Sequence, residues 1–246
     1  MPRYFMQLAY DGSAYHGWQS QPNASSVQQA LEDALGKALR TPTAVTGAGR
    51  TDAGVHARRM TAHFDVAEPL ADPAGLVRRV NAIVGRHVAV ESIRPVADDA
   101  HARFDATART YHYYCHTSKS PFAGAFSWQG PSTLDFEAMN RVAAQLLGTH
   151  DFTSFAKLHS DARTNICTVT EARWEQLGPG RWVFVITADR FLRNMVRAVV
   201  GTLVEVGRGK LSEDGFARVI EARDRCSAGT SMPAQALFLW DVAYPY

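Results

Sequence analysis

VTEARWEQLGPGRWVFVITA, residues 169–188, carries the clearest fold signal in this chain of 246 residues. Two runs rich in apolar and β-branched residues flank Gly178-Pro179-Gly180, and this composition is typical of a β-hairpin. Strand and helix patterns elsewhere are mixed without the strict alternation of a parallel sheet. The sequence therefore predicts an α+β fold with largely antiparallel sheets.

Outward from the hairpin, both halves of the chain show the same mixture of elements. Helices are predicted from periodic apolar residues and capping signals at 27–39, 73–84, 135–147, 191–206 and 212–223, and Ser25 or Ser26 is the candidate N-cap of the first helix. Strands are predicted at 4–10, 61–66, 88–93, 110–117 and 237–244. We expect two tandem α+β halves, residues 1–105 and 106–246, and no Pro- or Gly-rich linker separates them.

Composition excludes several classes of protein. Hydrophobic residues make up 46% of the chain, which excludes a disordered chain, and no apolar run approaches the ~20 residues of a membrane span. The N-terminus lacks a signal-peptide pattern, and the three cysteines form neither a disulfide framework nor a metal clamp. We expect a cytoplasmic protein with no membrane partner. Net charge is only +2, but 22 of the 26 basic residues are arginine, which suits phosphates and bases.

The most unusual segment is GAGRTDAGVH, residues 47–56. It does not match a dinucleotide fingerprint, because Asp52 occupies the position of the third glycine, and the chain contains no P-loop. Two interpretations of Asp52 remain. It closes a turn by bonding its own backbone, or it is a positioned carboxylate, held ionised beside an arginine such as Arg50, that acts as nucleophile or base.

An arginine-rich segment, RFLRNMVR at 190–197, begins the predicted fourth helix. On a helix, Arg190, Arg193 and Arg197 would share one face, opposite an apolar stripe that faces the core. Such a face suits an anionic ligand, and the alternative is a solvated surface.

The strand at 110–117 combines tyrosines with nearby arginines. Tyr111 and Tyr113 share one face, and aromatic residues interleaved with arginine suit base stacking, although core packing is the ordinary explanation for tyrosines in a strand. The histidines offer no metal site, because His56 and His63 do not have ligand spacing.

Together these segments resemble the TruA-type tRNA pseudouridine synthases over nearly the whole chain. The matching blocks, in order along the chain, are Tyr10–Gln19, Gly49–His56, His101–Phe104 with Arg109 and Tyr111, Asp151–Phe155, Phe191–Arg197 and Gly201–Gly207. The chain departs from the family pattern at Arg59-Met60, where Gly-Gln is usual, and at Ala236, where glycine is usual.

The resemblance implies the pseudouridine synthase fold, with two tandem α/β units packed into one continuous sheet and helices on one side. It implies an isomerase that converts uridine to pseudouridine at positions 38, 39 and 40 of the tRNA anticodon stem-loop. It also implies a homodimer that binds tRNA and needs no metal or nucleotide cofactor.

The family roles carry over by position. Asp52 is implied to be the catalytic carboxylate, Arg197 its basic partner, and Tyr111 the residue that stacks on the uracil. Arg50 is implied to help displace the target nucleotide, and Leu237 to form an apolar wall of the uracil pocket. Arg193 is a further candidate for substrate binding, from the arginine-rich segment. Two other classes stay open beside this one: an RNA-binding module without catalysis, and a glycosylase that releases free uracil.

Overall fold

The computed structural model describes residues 1–157 and 163–246. Its α-helices are α1 Val27–Leu39, α2 Pro73–Ile83, α3 Phe136–Ala143, α4 Met195–Gly207 and α5 Glu213–Ala222. Its strands are β1 Arg3–Tyr10, β2 Thr46–Gly47, β3 His56–Asp65, β4 Val88–Val96, β5 Ala108–His116, β6 Trp128–Gln129, β7 Gly148–Asp151, β8 Ile166–Gly178, β9 Arg181–Ala188 and β10 Leu237–Ala243. The predicted α+β class is confirmed. Within the described residues, no helix is long and apolar enough to cross a membrane.

The chain divides into two compact units. The first comprises Met1–Thr107 and Phe238–Tyr246, and the second comprises Ala108–Leu237. The halves expected from the sequence, 1–105 and 106–246, differ from these units mainly at the C-terminus, because the last strand groups with the first unit.

In the first unit, the strands lie in the order β4-β1-β3-β10. β1 pairs antiparallel with both β3 and β4, short β2 pairs antiparallel with β3, and β10 pairs parallel with β3. Helix α1 begins where Ser26 accepts a hydrogen bond from the backbone N–H of Gln29, which confirms one of the two predicted N-caps. The buried apolar residues of α1 recur at helical spacing, as the sequence predicted: Val27, Leu31, Ala34 and Leu35.

In the second unit, the strands lie in the order β5-β9-β8-β7, and each of these pairs is antiparallel. The hairpin predicted from residues 169–188 is confirmed as β8 and β9, with Gly180 at a φ of 63° in the connecting turn. Tyr113 on β5 and Phe184 on β9 are completely buried. The apolar stripe of α4 is also buried, at Val196, Val199, Val200 and Leu203.

Several element boundaries differ from the sequence prediction. The third helix becomes a 3-10 turn after Ala143, and β3 begins at His56 instead of near residue 61. The predicted helix start at Phe191 was wrong: α4 begins at Met195, because Asn194 adopts the left-handed conformation with a φ of 67°. Asn194 is held there by its side-chain amide, which donates to Ser231 Oγ over 2.6 Å.

Candidate active site

Asp52 lies in the loop between β2 and β3, in a turn closed by a hydrogen bond from the Val55 backbone N–H to the Asp52 carbonyl oxygen over 3.1 Å. Gly54 completes this turn with a φ of 78°, a conformation that favours glycine. The Asp52 side chain is half-buried. The backbone of Asp52 therefore closes the turn, and the loop that carries its half-buried side chain is held by hydrogen bonds.

Residues at the end of β1 and in the segment that follows it contact this loop and hold it in place. The Trp18 backbone N–H donates to the Thr51 carbonyl oxygen over 3.2 Å, and the hydroxyl groups of Tyr10 and Thr51 lie 2.9 Å apart. Gly17 has a φ of 97°, and a Cβ on it would lie 2.5 Å from the Thr51 carbonyl oxygen. A Cβ on Gly12 would likewise lie 2.1 Å from the Val55 carbonyl oxygen. Two glycines thus allow the close backbone approach that fixes the residues on each side of Asp52.

No role was predicted for Gly12 or Gly17 from the sequence, although both lie in the first block of the resemblance. A signal was present, because two glycines lie five residues apart among aromatic and polar residues with no helix pattern. Their importance depends on which backbone approaches them, and that contact is made with a loop about 35 to 45 residues further along the chain.

His56 fixes the end of the loop, where β3 begins. Its side chain is completely buried, and its Nδ1 accepts a hydrogen bond from the Gly12 backbone N–H over 3.0 Å. Its ring also stacks on Phe238 of β10, with the ring centroids 4.6 Å apart. His56 therefore contributes to the rigidity of the loop. Among residues 1–157 and 163–246, no three His, Cys, Asp or Glu side chains are grouped so as to hold a metal ion.

Arg50 is exposed on the same loop, two residues before Asp52. Its Nε–H donates to the Gln19 side-chain oxygen over 3.1 Å. The first unit thus presents a half-buried carboxylate and an exposed guanidinium on one loop.

In the second unit, Tyr111 lies on β5 opposite Ile186 of β9 and is half-buried. Its ring meets the ring of Phe191 edge to face, at a centroid distance of 5.0 Å and an interplanar angle of 81°. Tyr113, on the same face by strand alternation, is completely buried, and burial raises the pKa of its hydroxyl. The structure therefore separates the two tyrosines: Tyr113 is a core residue, and Tyr111 keeps part of its ring accessible.

Arg197 lies in the first turn of α4 and is half-buried. Its Nε–H donates to the Met232 carbonyl oxygen over 2.5 Å, and the Met232 backbone N–H donates to the Arg197 carbonyl oxygen over 3.0 Å. Both the side chain and the backbone of Arg197 are thus hydrogen-bonded to the segment that precedes β10. That segment leads to Leu237, which is buried.

The prediction that Arg190, Arg193 and Arg197 share one helical face was wrong. Arg190 and Arg193 precede the helix, because the left-handed Asn194 delays its start. Arg193 is exposed, and its carbonyl oxygen accepts a hydrogen bond from the Lys157 backbone N–H over 3.0 Å. Of the three, only Arg197 belongs to α4, and Arg193 is exposed whereas Arg190 and Arg197 are half-buried.

Comparison with known proteins identifies the family. A family model described as tRNA pseudouridine synthase matches residues 7–105 and 142–245. The chain is 56% identical over 245 residues to the tRNA pseudouridine synthase A of Parabacteroides distasonis, covering 100% of this chain and 97% of that protein. It is 55% identical over 247 residues to the tRNA pseudouridine synthase A of Bacteroides thetaiotaomicron, covering 100% of this chain and 91% of that protein.

Among solved structures, one chain of a crystal structure of a Cbf5-Nop10-Gar1 complex is similar at 10% identity and a TM-score of 0.36. That similarity covers 81% of this chain and 54% of the other, and it supports no conclusion about function. The sequence matches, in contrast, extend over both units. The family model includes the Asp52 loop and α4, and the match to the full-length relative also includes β5. On that basis, the chain belongs to the tRNA pseudouridine synthase family.

Proposed function

We propose that this chain isomerises uridine to pseudouridine at positions 38, 39 and 40 of the tRNA anticodon stem-loop. The single observation that carries the proposal is the Asp52 loop: a half-buried aspartate on a loop whose backbone is fixed by hydrogen bonds and by two close glycine contacts, in a chain of this family. A protein that only bound RNA would have no use for a fixed carboxylate, because its charge repels phosphate.

The reaction rearranges one nucleotide without a net change in composition. The N1–C1′ bond breaks, the uracil turns within the site, and a C5–C1′ bond forms. The proton on C5 is lost and N1 gains one, so the step needs no oxidant and no energy donor. Asp52 is the proposed catalytic carboxylate, and three actions are compatible with its chemistry: attack on C1′, attack on the base, or removal of a sugar proton.

The other residues have proposed roles that follow from their chemistry. Tyr111 is half-buried, which leaves part of it accessible for stacking on the uracil. It also helps to remove the C5 proton. Arg197 is the proposed basic residue that acts with the Asp52 carboxylate in the reaction. Leu237 provides an apolar wall for the uracil.

Two of the candidate arginines, Arg50 and Arg193, are exposed, and both are proposed to contact the RNA. Arg50 helps to displace the target nucleotide from the helical stack, which must happen before its glycosidic bond can be reached. Arg193 binds the RNA backbone, since it lies exposed outside the helix. We also propose that the protein acts as a homodimer that binds one tRNA across both subunits.

The test is incubation of the purified protein with unmodified tRNA, followed by carbodiimide treatment and primer extension. Reverse-transcription stops at positions 38 to 40 are expected, with no free uracil in solution. Free uracil would identify a glycosylase, and tight tRNA binding without either product would identify an RNA-binding module. Either of these results would contradict the proposal.

A further inference from the structure

A chain of side-chain hydrogen bonds leads from helix α1 to Arg50. Gln19 accepts from Arg50 Nε–H over 3.1 Å, and its amide nitrogen donates to Gln28 Oε1 over 2.8 Å. The Gln28 amide nitrogen in turn donates to Glu32 Oε1 and to the Val45 carbonyl oxygen, each over 3.0 Å. Gln19, Gln28 and Glu32 are called the glutamine relay below.

The relay is anchored on backbone groups, and these fix the orientation of its amides. Gln28 Oε1 accepts from the Ser20 backbone N–H over 3.0 Å, while its nitrogen faces the Val45 carbonyl oxygen. If the Gln28 amide were reversed, its nitrogen would face the two N–H donors that its oxygen now accepts from. Its oxygen would then face two acceptor oxygens. Gln19 must likewise turn its oxygen toward Arg50, because a guanidinium only donates. The Val45 backbone N–H closes the network by donating to Glu32 Oε1 over 3.0 Å.

Gln19 and Arg50 are exposed, whereas Gln28 and Glu32 are half-buried. An exposed arginine ordinarily samples many rotamers, and fixing one of them costs side-chain entropy. The bond to Gln19 limits the directions in which the guanidinium of Arg50 points before any RNA is present. Such preorganisation lowers the cost of the contact that the arginine makes on binding.

We propose that Gln19 is a positioning residue that holds the guanidinium of Arg50 in the orientation used on the tRNA substrate, with Gln28 as its anchor on α1. This inference rests on the proposed function and on the proposed contact of Arg50 with the RNA. Gln19 acts only through Arg50 and has no contact of its own with the reacting atoms.

A double-substitution cycle tests the proposal, with pseudouridine formation in tRNA as the readout. Gln19→Met, which keeps the length of the side chain and removes both hydrogen bonds, should lower kcat/KM by roughly 3- to 10-fold, as expected for one charge-assisted hydrogen bond at an exposed site. In an Arg50→Ala background, the same substitution should cause no further loss, because the group that it positions is gone. Gln28→Met should show the same dependence on Arg50.

The matched control is Gln29→Met, which changes the neighbouring, exposed glutamine on the same helix and should leave kcat/KM unchanged. Additive losses in the double variant, wild-type activity of Gln19→Met, or wild-type activity of Arg50→Ala would each overturn the positioning role. A wild-type protein that forms no pseudouridine would instead refute the proposed function, so the two failures are distinguishable.

Discussion

The Nε–H of Arg197 donates to the carbonyl oxygen of Met232 over 2.5 Å, and the backbone of Met232 returns a hydrogen bond to the carbonyl oxygen of Arg197 over 3.0 Å. This reciprocal pair holds a half-buried arginine against a defined segment of backbone. An arginine held in this way is suited to one fixed ionic contact. A surface arginine that binds phosphate does not require such support.

We therefore expect Arg197→Ala to lower kcat at saturating tRNA, because the proposed basic residue of the reaction would be lost. The salt dependence of tRNA binding should be unchanged. Arg193→Ala is the matched control: this exposed arginine should lose one phosphate contact, which flattens the slope of log K against log salt by about 0.7 to 0.9. Normal turnover of Arg197→Ala with a flattened slope would refute its proposed role in the reaction.

Gly17 provides a second prediction, about the rigidity of the Asp52 loop. Gly17→Ala should lower kcat by about 10-fold or more and destabilise the fold by about 1–3 kcal/mol, because the residue has a positive φ and the new Cβ would displace the Thr51 peptide. Urea unfolding and single-turnover kinetics measure the two effects. Gly49→Ala, in the same loop, is the control, since a Cβ there meets no atom within 4 Å. Equal activity of the two variants would show that the Gly17 contact does not position Asp52.

The third prediction concerns stability in mild acid. Burial, together with the nearby Arg3 guanidinium, lowers the pKa of His63 to about 4, and its Nδ1 accepts a hydrogen bond from the Ala102 backbone N–H over 3.1 Å. The unfolded chain, whose histidines have a pKa near 6.5, therefore takes up a proton first as the pH falls. The stabilisation that comes from keeping His63 neutral is fully present above pH 6.5 and is lost between about pH 6.5 and 4.

Urea unfolding at pH 7.5 and pH 5 measures this loss, which should amount to about 1–2 kcal/mol for His63. His101 and His112, whose pKa values are also lowered chiefly by burial, add to it. His63→Gln should unfold with a smaller difference between the two pH values. An unchanged difference would show that His63 does not contribute to the acid sensitivity.

Tyr111 separates stacking from proton transfer. Tyr111→Phe retains the ring and its edge-to-face contact with Phe191, so tRNA affinity should stay within about twofold of the wild-type value. Turnover should fall by about 100-fold, within the range that general acid–base groups contribute. Wild-type turnover in this variant would limit the tyrosine to stacking.

Local patterns predicted much of this fold. The hairpin of β8 and β9, the Ser26 cap of α1 and the buried stripe of α4 each depend on residues close together in the sequence, and all three are confirmed. The start of α4 was not predictable in the same way. Asn194 adopts its left-handed conformation while its amide is bonded to Ser231, 37 residues away. A helix pattern that began at Phe191 gave no sign of this contact.

The same distinction applies to the site. Asp52 was identified from its unusual loop composition, but the supports of that loop come from residues that look ordinary in sequence. Gly17 matters because the Thr51 backbone approaches it, and Gln19 because Arg50 and Gln28 meet on either side of its amide. Contacts between segments more than thirty residues apart leave no periodic signal in a single sequence.

The most direct test of the account is the turnover of Asp52→Asn on unmodified tRNA, measured under single-turnover conditions. The amide preserves the shape of the side chain and removes its charge, so folding and tRNA affinity should be nearly unchanged. Pseudouridine formation at positions 38 to 40 should fall below detection, because the carboxylate has no substitute in nucleophilic or base catalysis. A variant that folds normally, binds tRNA and retains even about a tenth of the wild-type rate, a loss of only about 1.4 kcal/mol in transition-state stabilisation, would contradict the assignment of Asp52 as the catalytic group.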